Sequence, residues 1–256
     1  MIVTLRERLS DSPYVDAVTH GYTTEIGSTI RPAETHWHMV LVKAEGNTQL
    51  MVVGPLTTAG VVAWGAGGEV LWLRFKLGVF MPHLPFNEFR DGEMPLPGAT
   101  SQRFWLKGAA WQFPDYDNVE PFVDRLVRDE ILAYDPVVGA VIQEQAHELA
   151  PRTVRHRFAQ ATGLTQKHVR QVERAQQAAL MLRQGVPILD TVYELGYFDQ
   201  PHLTRSLRQW VGYTPAQLAH PASSSPDYQH DCQDDALWKD YTPNGQASMR
   251  ERVKAD

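Results

Sequence analysis

The sequence predicts an α+β protein of two domains, a β-rich small barrel followed by an all-α domain. Three observations carry that expectation. Short runs rich in Val, Leu, Met and Trp, broken by Gly, Pro and Asn, occupy the first part of the chain. Apolar stripes at helical spacing take over beyond about residue 117. The last third then repeats itself: at an offset of 49, Val154 falls on Leu203, Phe158 on Leu207, Gly163 on Gly212 and Thr165 on Thr214.

The expected strands are 39–44, 49–53, 61–64 and 70–77, parted by Glu45-Gly46-Asn47 and by Gly65-Ala66-Gly67-Gly68. Close spacing of short strands suggests a small barrel or sandwich. Residues 80–97 hold Pro82, Pro85, Pro95 and Pro97 and read as loop with short helical turns. Asn118 or Asp117 would cap a helix through Val119, Phe122, Val123, Leu126, Val127 and Ile131, packed on the barrel or on another subunit.

A short linker is expected at 133–136, where Asp135-Pro136 opens a helix carrying Val138, Val141, Ile142 and Gln145. A basic helix follows at 151–162, stopped by Gly163. Thr165 caps a long helix, 166–184, whose Val169, Val172, Ala175, Ala179 and Leu182 keep helical spacing up to Gly185. Pro187 restarts the chain with Ile188, Val192 and Leu195 inward, and Gly196 makes a turn. The second basic helix spans 200–211, and Thr214-Pro215 opens a last short one. Residues 221–256, with Ser223-Ser224-Ser225-Pro226 and four Asp between 227 and 235, read as an acidic, disordered tail. The expected domains are therefore 1–134, 135–220 and the tail 221–256.

The totals exclude several classes. With 256 residues, 43% of them hydrophobic, the chain can bury a core in each of two domains. It has no apolar run of about 18 residues, and its first ten residues mix charges into the apolar ones, so neither a membrane span nor a signal peptide is expected. Cytoplasmic residence follows as the expectation. The single cysteine, Cys232, rules out an internal disulfide and a cysteine-cluster zinc site. It lies in the acidic tail, which does not favour a reactive thiolate. Neither a Gly-x-Ser-x-Gly elbow nor a phosphate-binding or dinucleotide glycine motif occurs, so catalysis is not expected.

Net charge is −6, which by itself argues against nucleic acid, but its distribution reverses the argument. Residues 1–149 hold 11 Lys+Arg against 19 Asp+Glu, residues 150–212 hold 9 against 4, and residues 213–256 hold 4 against 7. The basic segment coincides with the repeat. Two helices apolar toward the protein and cationic outward suit successive major grooves of double-stranded DNA.

The run Ala175 to Leu182, then Gly185-Val186-Pro187-Ile188, then Glu194-Leu195-Gly196-Tyr197-Phe198-Asp199-Gln200-Pro201-His202-Leu203-Thr204-Arg205, then Gly212-Tyr213-Thr214-Pro215, resembles the AraC/XylS family of transcription regulators. The resemblance covers roughly residues 137–220 and implies a double helix-turn-helix that binds DNA sequence-specifically. It further implies that the N-terminal domain binds an effector or dimerises, often as a cupin-like barrel. The partners it implies are double-stranded DNA, a small-molecule effector, RNA polymerase if the protein activates, and a second copy of the chain, with no membrane and no cofactor.

Carried over by position, the first recognition helix presents Arg152, Arg155 and His156 to bases. The second presents Gln200, Pro201, His202 and Arg205, with Thr204 near phosphate. Arginine can bind guanine O6 and N7 bidentately, and glutamine adenine N6 and N7. Arg157, Arg170, Arg174 and Arg183 fit a solvated basic face. The first helix-turn-helix departs from the pattern: it lacks the glycine found at Gly196, with 145–149 in the turn and Gln143 and Glu144 where apolar or small residues are usual.

One constellation points elsewhere. His36-Trp37-His38 on a strand would turn two imidazoles to one face, as a metal site needs, with Glu34 or His83 as third ligand. That pattern supports the alternative of a metal-dependent cupin-type enzyme with a fused helical domain. The cupin spacing of a following Glu and a distant third His is not met, so no metal is assigned. His36, His38, Trp64 and Trp72 are instead candidates for lining an effector pocket, and most of the tryptophans are expected in the core. A nonspecific chromosome-associated protein is the third reading.

Overall fold

The computed structural model describes residues 3–84, 89–145 and 149–220. The acidic tail with Cys232, the middle of the first helix-turn-helix turn and part of the proline-rich stretch lie outside them. Thirteen strands occur among the described residues: β1 (Val3–Leu9), β2 (Val15–Thr23), β3 (Gly27–Arg31), β4 (His38–Ala44), β5 (Asn47–Val53), β6 (Gly60–Trp64), β7 (Glu69–Phe75), β8 (Val79–Phe80), β9 (Glu93–Pro95), β10 (Gly98–Thr100), β11 (Arg103–Leu106), β12 (Ala109–Gln112) and β13 (Ala133–Tyr134). The helices are α1 (Val119–Arg128), α2 (Pro136–Ile142), α3 (Pro151–Thr162), α4 (Gln166–Arg183), α5 (Ile188–Glu194), α6 (Gln200–Trp210) and α7 (Pro215–Ala219). The chain divides into two compact units, Met1–Val172 and Glu173–Asp256, the division falling within α4.

The N-terminal part is β-rich, as expected, but it is not a closed barrel among the described residues. Its main sheet runs β1-β2-β7-β4-β5-β9, and the edges β1 and β9 do not bond to each other. A barrel needs the last strand to pair with the first. Strand periodicity reports which residues alternate, and it cannot report that edge choice. The β3–β6 pair, the β10–β11–β12 sheet and the β8–β13 pair stand apart from the main sheet.

Alternation fixes the buried side. Leu71, Leu73 and Phe75 of β7 face one way, and Met39↔Leu73 and Leu41↔Leu71 bring β4 into register with them. Trp37 stacks on Phe75 at 4.0 Å and its Nε1–H donates to the Val79 carbonyl at 2.6 Å. Trp37 and Trp111 are core as expected, whereas Trp105 is exposed and Trp64 and Trp72 are half-buried. Helix α1 lays Val119, Phe122, Val123 and Leu126 on this core. Asn118 precedes it but makes no side-chain cap; its amide donates to Asp115 instead.

Two expectations about irregular segments are corrected. Residues 80–97 contribute β9, which tolerates Pro95 because an edge strand can spare an N–H. The expected linker at 133–136 is built into the fold: β13 pairs with β8, and the Asp135 N–H donates to Gly78 O at 2.8 Å. Gly78 is required there, since φ is +96° and a Cβ would meet Val138 Cβ at 3.0 Å. Leu77 and Phe80 thereby pack against the cluster of Val138, Val141, Val154 and Phe158.

Among the helices the boundaries follow the sequence closely. Asp135 accepts from Val137 N–H and caps α2, with Pro136 in its first turn. Gln145 falls beyond α2, which stops at Ile142. Gly163 takes φ +72° after α3, and Thr165 accepts from His168 N–H at the start of α4. Val169, Val172, Ala175, Ala179 and Leu182 are fully buried along α4. In α5 the fully buried residue is Thr191, while Ile188, Val192 and Leu195 are half-buried. Thr214 and Gln217 form a reciprocal capping box on α7.

Candidate nucleic-acid interface

The two repeats fold alike. Val154 and Phe158 of α3 and Leu203 and Leu207 of α6 are all buried. Burying one face leaves the remaining side chains of each helix to water. On α3 these are Arg152, Arg155 and His156, all exposed. On α6 they are Gln200, Pro201 and Arg205, exposed, with His202 and Thr204 half-buried. Each helix thus gathers its expected site residues on its outer side.

The cations of the basic segment separate into two groups. The side chains of Arg152, Arg155 and Arg205 have neither a hydrogen bond nor an ion pair among the described residues, and Arg208 joins them. Arg157 differs: its Nε donates to Asp135 Oδ2 at 2.8 Å and its Nη2 to Oδ1 at 2.7 Å. That hydrogen-bonded carboxylate raises the Arg157 pKa. Arg170 pairs with Glu144 at 2.9 Å, and Arg174 lies over the Tyr197 ring at 4.4 Å. The expectation of a merely solvated face therefore gives way for these three, because each meets a partner distant in sequence.

At the second helix-turn-helix head, formed by α5 and α6 as the first is by α2 and α3, Asp199 Oδ1 accepts from His202 N–H at 2.6 Å and caps α6. Tyr197 hydrogen-bonds Ser206 at 3.2 Å and meets the His202 ring edge-on at 5.1 Å. Burial raises the Tyr197 pKa, so the phenol stays protonated. Phe198 N–H donates to His202 Nδ1 at 3.3 Å. Thr204 donates to the Gln200 carbonyl at 2.9 Å and keeps its lone pairs for an outside donor.

The first head differs at its turn. Helix α5 ends in a motif with Gly196 N–H on Tyr193 O and Tyr197 N–H on Val192 O. Helix α2 ends identically, with Glu144 N–H on Val141 O and Gln145 N–H on Ala140 O. Glu144 takes φ +54° where Gly196 takes +65°. The stop the sequence lacked as a glycine is thus supplied by a glutamate. From this stop to the next helix is seven residues in the first head and four in the second.

The expected metal and effector candidates do not converge in the way the strand pattern suggested. His36 precedes β4 and is no strand residue, so the alternation argument does not reach it. Glu34 accepts from His36 N–H at 3.1 Å and pairs with its Nδ1 at 2.8 Å. Burial pushes the Glu34 pKa up, but that hydrogen bond and the charges of His36, His38 and Arg74 hold it well below the usual carboxylate range. His38 is buried, its Nδ1 has no hydrogen-bond partner among the described residues, and burial with nearby Arg31 and Arg74 pushes its pKa down to about 3. Among the described residues no three metal-capable side chains form a group. A shallow groove lined by Trp111, Phe113, Pro121, Phe122 and Arg125 includes none of His36, His38, Trp64 and Trp72.

The family model of a helix-turn-helix domain matches residues 145–220. No curated protein and no solved structure matches the chain. Residues 145–220 are thus a DNA-binding helix-turn-helix domain of AraC-like type, and the match begins after α2. No helix among the described residues is long and apolar enough to cross a membrane.

Proposed function

We propose that the chain is a sequence-specific transcription regulator that inserts α3 and α6 into successive major grooves of double-stranded DNA. The observation that carries this reading is the sorting of its arginines. Those facing outward from the two repeated helices lack a protein partner, while their neighbours Arg157 and Arg170 are neutralised by carboxylates. Unpaired guanidinium groups on an exposed helix favour a polyanion. Arg152, Arg155, His156, Gln200, Pro201, His202 and Arg205 read base edges, and Thr204 meets phosphate.

Residues 135–220 do the binding in this reading, and residues 1–134 bind a small effector or a second copy of the chain. Support for communication between them comes from Asp135, which is held by Gly78, caps α2 and clamps α3. His36, His38, Trp64 and Trp72 remain the effector-facing candidates, and an activator would also contact RNA polymerase.

Selection of bound duplexes from a random pool tests the proposal. One sequence family should be enriched, bound more tightly than random DNA by a factor of about a thousand or more. Equal affinity for all duplexes would overturn it.

A further inference from the structure

Phe198 is the large apolar side chain most exposed among the described residues, at 91%. It stands immediately before Asp199, the N-cap of α6. An apolar residue at that place ordinarily folds back on the fifth residue after it, here Leu203, and fixes the entry angle of the chain. Leu203 is fully buried without it. The ring is therefore not used for its usual local contact, and it meets water at the helix end where recognition helices meet bases.

Its backbone is nevertheless well held. Gly196 turns the chain with φ +65°, the Phe198 N–H is held by His202 Nδ1, and Asp199 is committed to the cap. Helix α6 holds Arg205 and Arg208 and no acidic residue, and the carboxylate of the adjacent Asp199 is engaged as its N-cap. The one strongly apolar feature of a major-groove edge is the C5 methyl of thymine, and phenylalanine is among the side chains that contact it.

We propose that Phe198 reads a thymine methyl beside the bases contacted by α6. This rests on the reading of the chain as a sequence-specific DNA binder and adds a specificity-determining residue to it. Removing one methyl from an apolar contact should weaken binding about threefold to fivefold.

The test uses the full chain and the duplex enriched by selection. Each thymine is replaced in turn by deoxyuridine, which lacks only the methyl, and the Kd is measured for the wild type and for Phe198→Ala. The wild type should lose about threefold to fivefold at one thymine, and the variant should bind both duplexes equally there. Because the ring is exposed, the variant should keep the wild-type thermal midpoint. A wild type indifferent to every replacement, or a variant that keeps the whole thymine preference, would overturn the assignment. Absence of any enriched duplex would overturn the regulator reading itself, and this assignment with it.

Discussion

Asp135 holds Arg157 through two hydrogen bonds, of 2.8 and 2.7 Å, while its Oδ1 also accepts from Val137 N–H at 2.9 Å. One buried carboxylate thus caps α2 and fastens α3 to it. Asp135→Ala should lose the cap, about 1 kcal/mol, and release Arg157 as well. Asp135→Asn keeps a capping oxygen and should cost less. Urea unfolding of the three proteins checks the order; equal midpoints would show that the clamp contributes nothing.

Glu144 and Gly196 share a left-handed backbone at equivalent turns, which costs a side chain and spares glycine. Glu144→Gly should stabilise the protein by about 0.5–1 kcal/mol, the loss of an exposed ion pair with Arg170 being minor. Gly196→Ala should destabilise by a similar amount through the backbone alone, since an added Cβ meets nothing within 4 Å. Thermal midpoints moving in opposite directions would bear this out.

His38 is neutral and buried in the folded chain, with a pKa near 3, against about 6.5 when unfolded. Between those values the unfolded chain binds a proton that the folded chain refuses, so stability rises with pH. It is fully present above pH about 6.5 and is lost as pH falls toward 3. Glu34, whose pKa is also depressed when folded, adds a further loss that begins as pH falls into the usual carboxylate range. His38→Leu should therefore reduce the slope of the urea midpoint between pH about 6.5 and 5, to which His83 and His168, also depressed by burial, still contribute. An unchanged slope would remove His38 as its source.

Arg205→Ala should weaken binding to the selected duplex by about 1–3 kcal/mol while leaving random DNA much less affected. A phosphate contact would instead weaken both and lower the salt dependence. Competition binding at several salt concentrations separates these. Equal losses on both DNAs would show that Arg205 does not read bases.

Leu207 anchors α6 from its inner side and is fully buried. Leu207→Ala should destabilise by about 2–5 kcal/mol and weaken binding only as far as the helix unfolds. Arg208→Ala, on the outer side, should leave the unfolding midpoint unchanged. Matching stability losses for the two would contradict the assigned faces.

Whatever depends on neighbours along the chain was legible in the residues alone. Helical spacing buried Val154, Phe158, Leu203 and Leu207, and Gly163 and Thr165 bounded α3 and α4 where local chemistry put them. The outward sides of α3 and α6 followed, because burying one stripe leaves only one place for Arg152 or Arg205. Tertiary structure alone decided what meets across long separations. It left the main sheet open, turned 133–136 from linker into β13 and cap, joined Asp135 to Arg157 and Arg174 to Tyr197, and left Phe198 without its usual contact. The reason is physical: periodicity and caps act within a few residues, whereas strand pairing and charge pairing are chosen by whichever distant partner the packed core brings close.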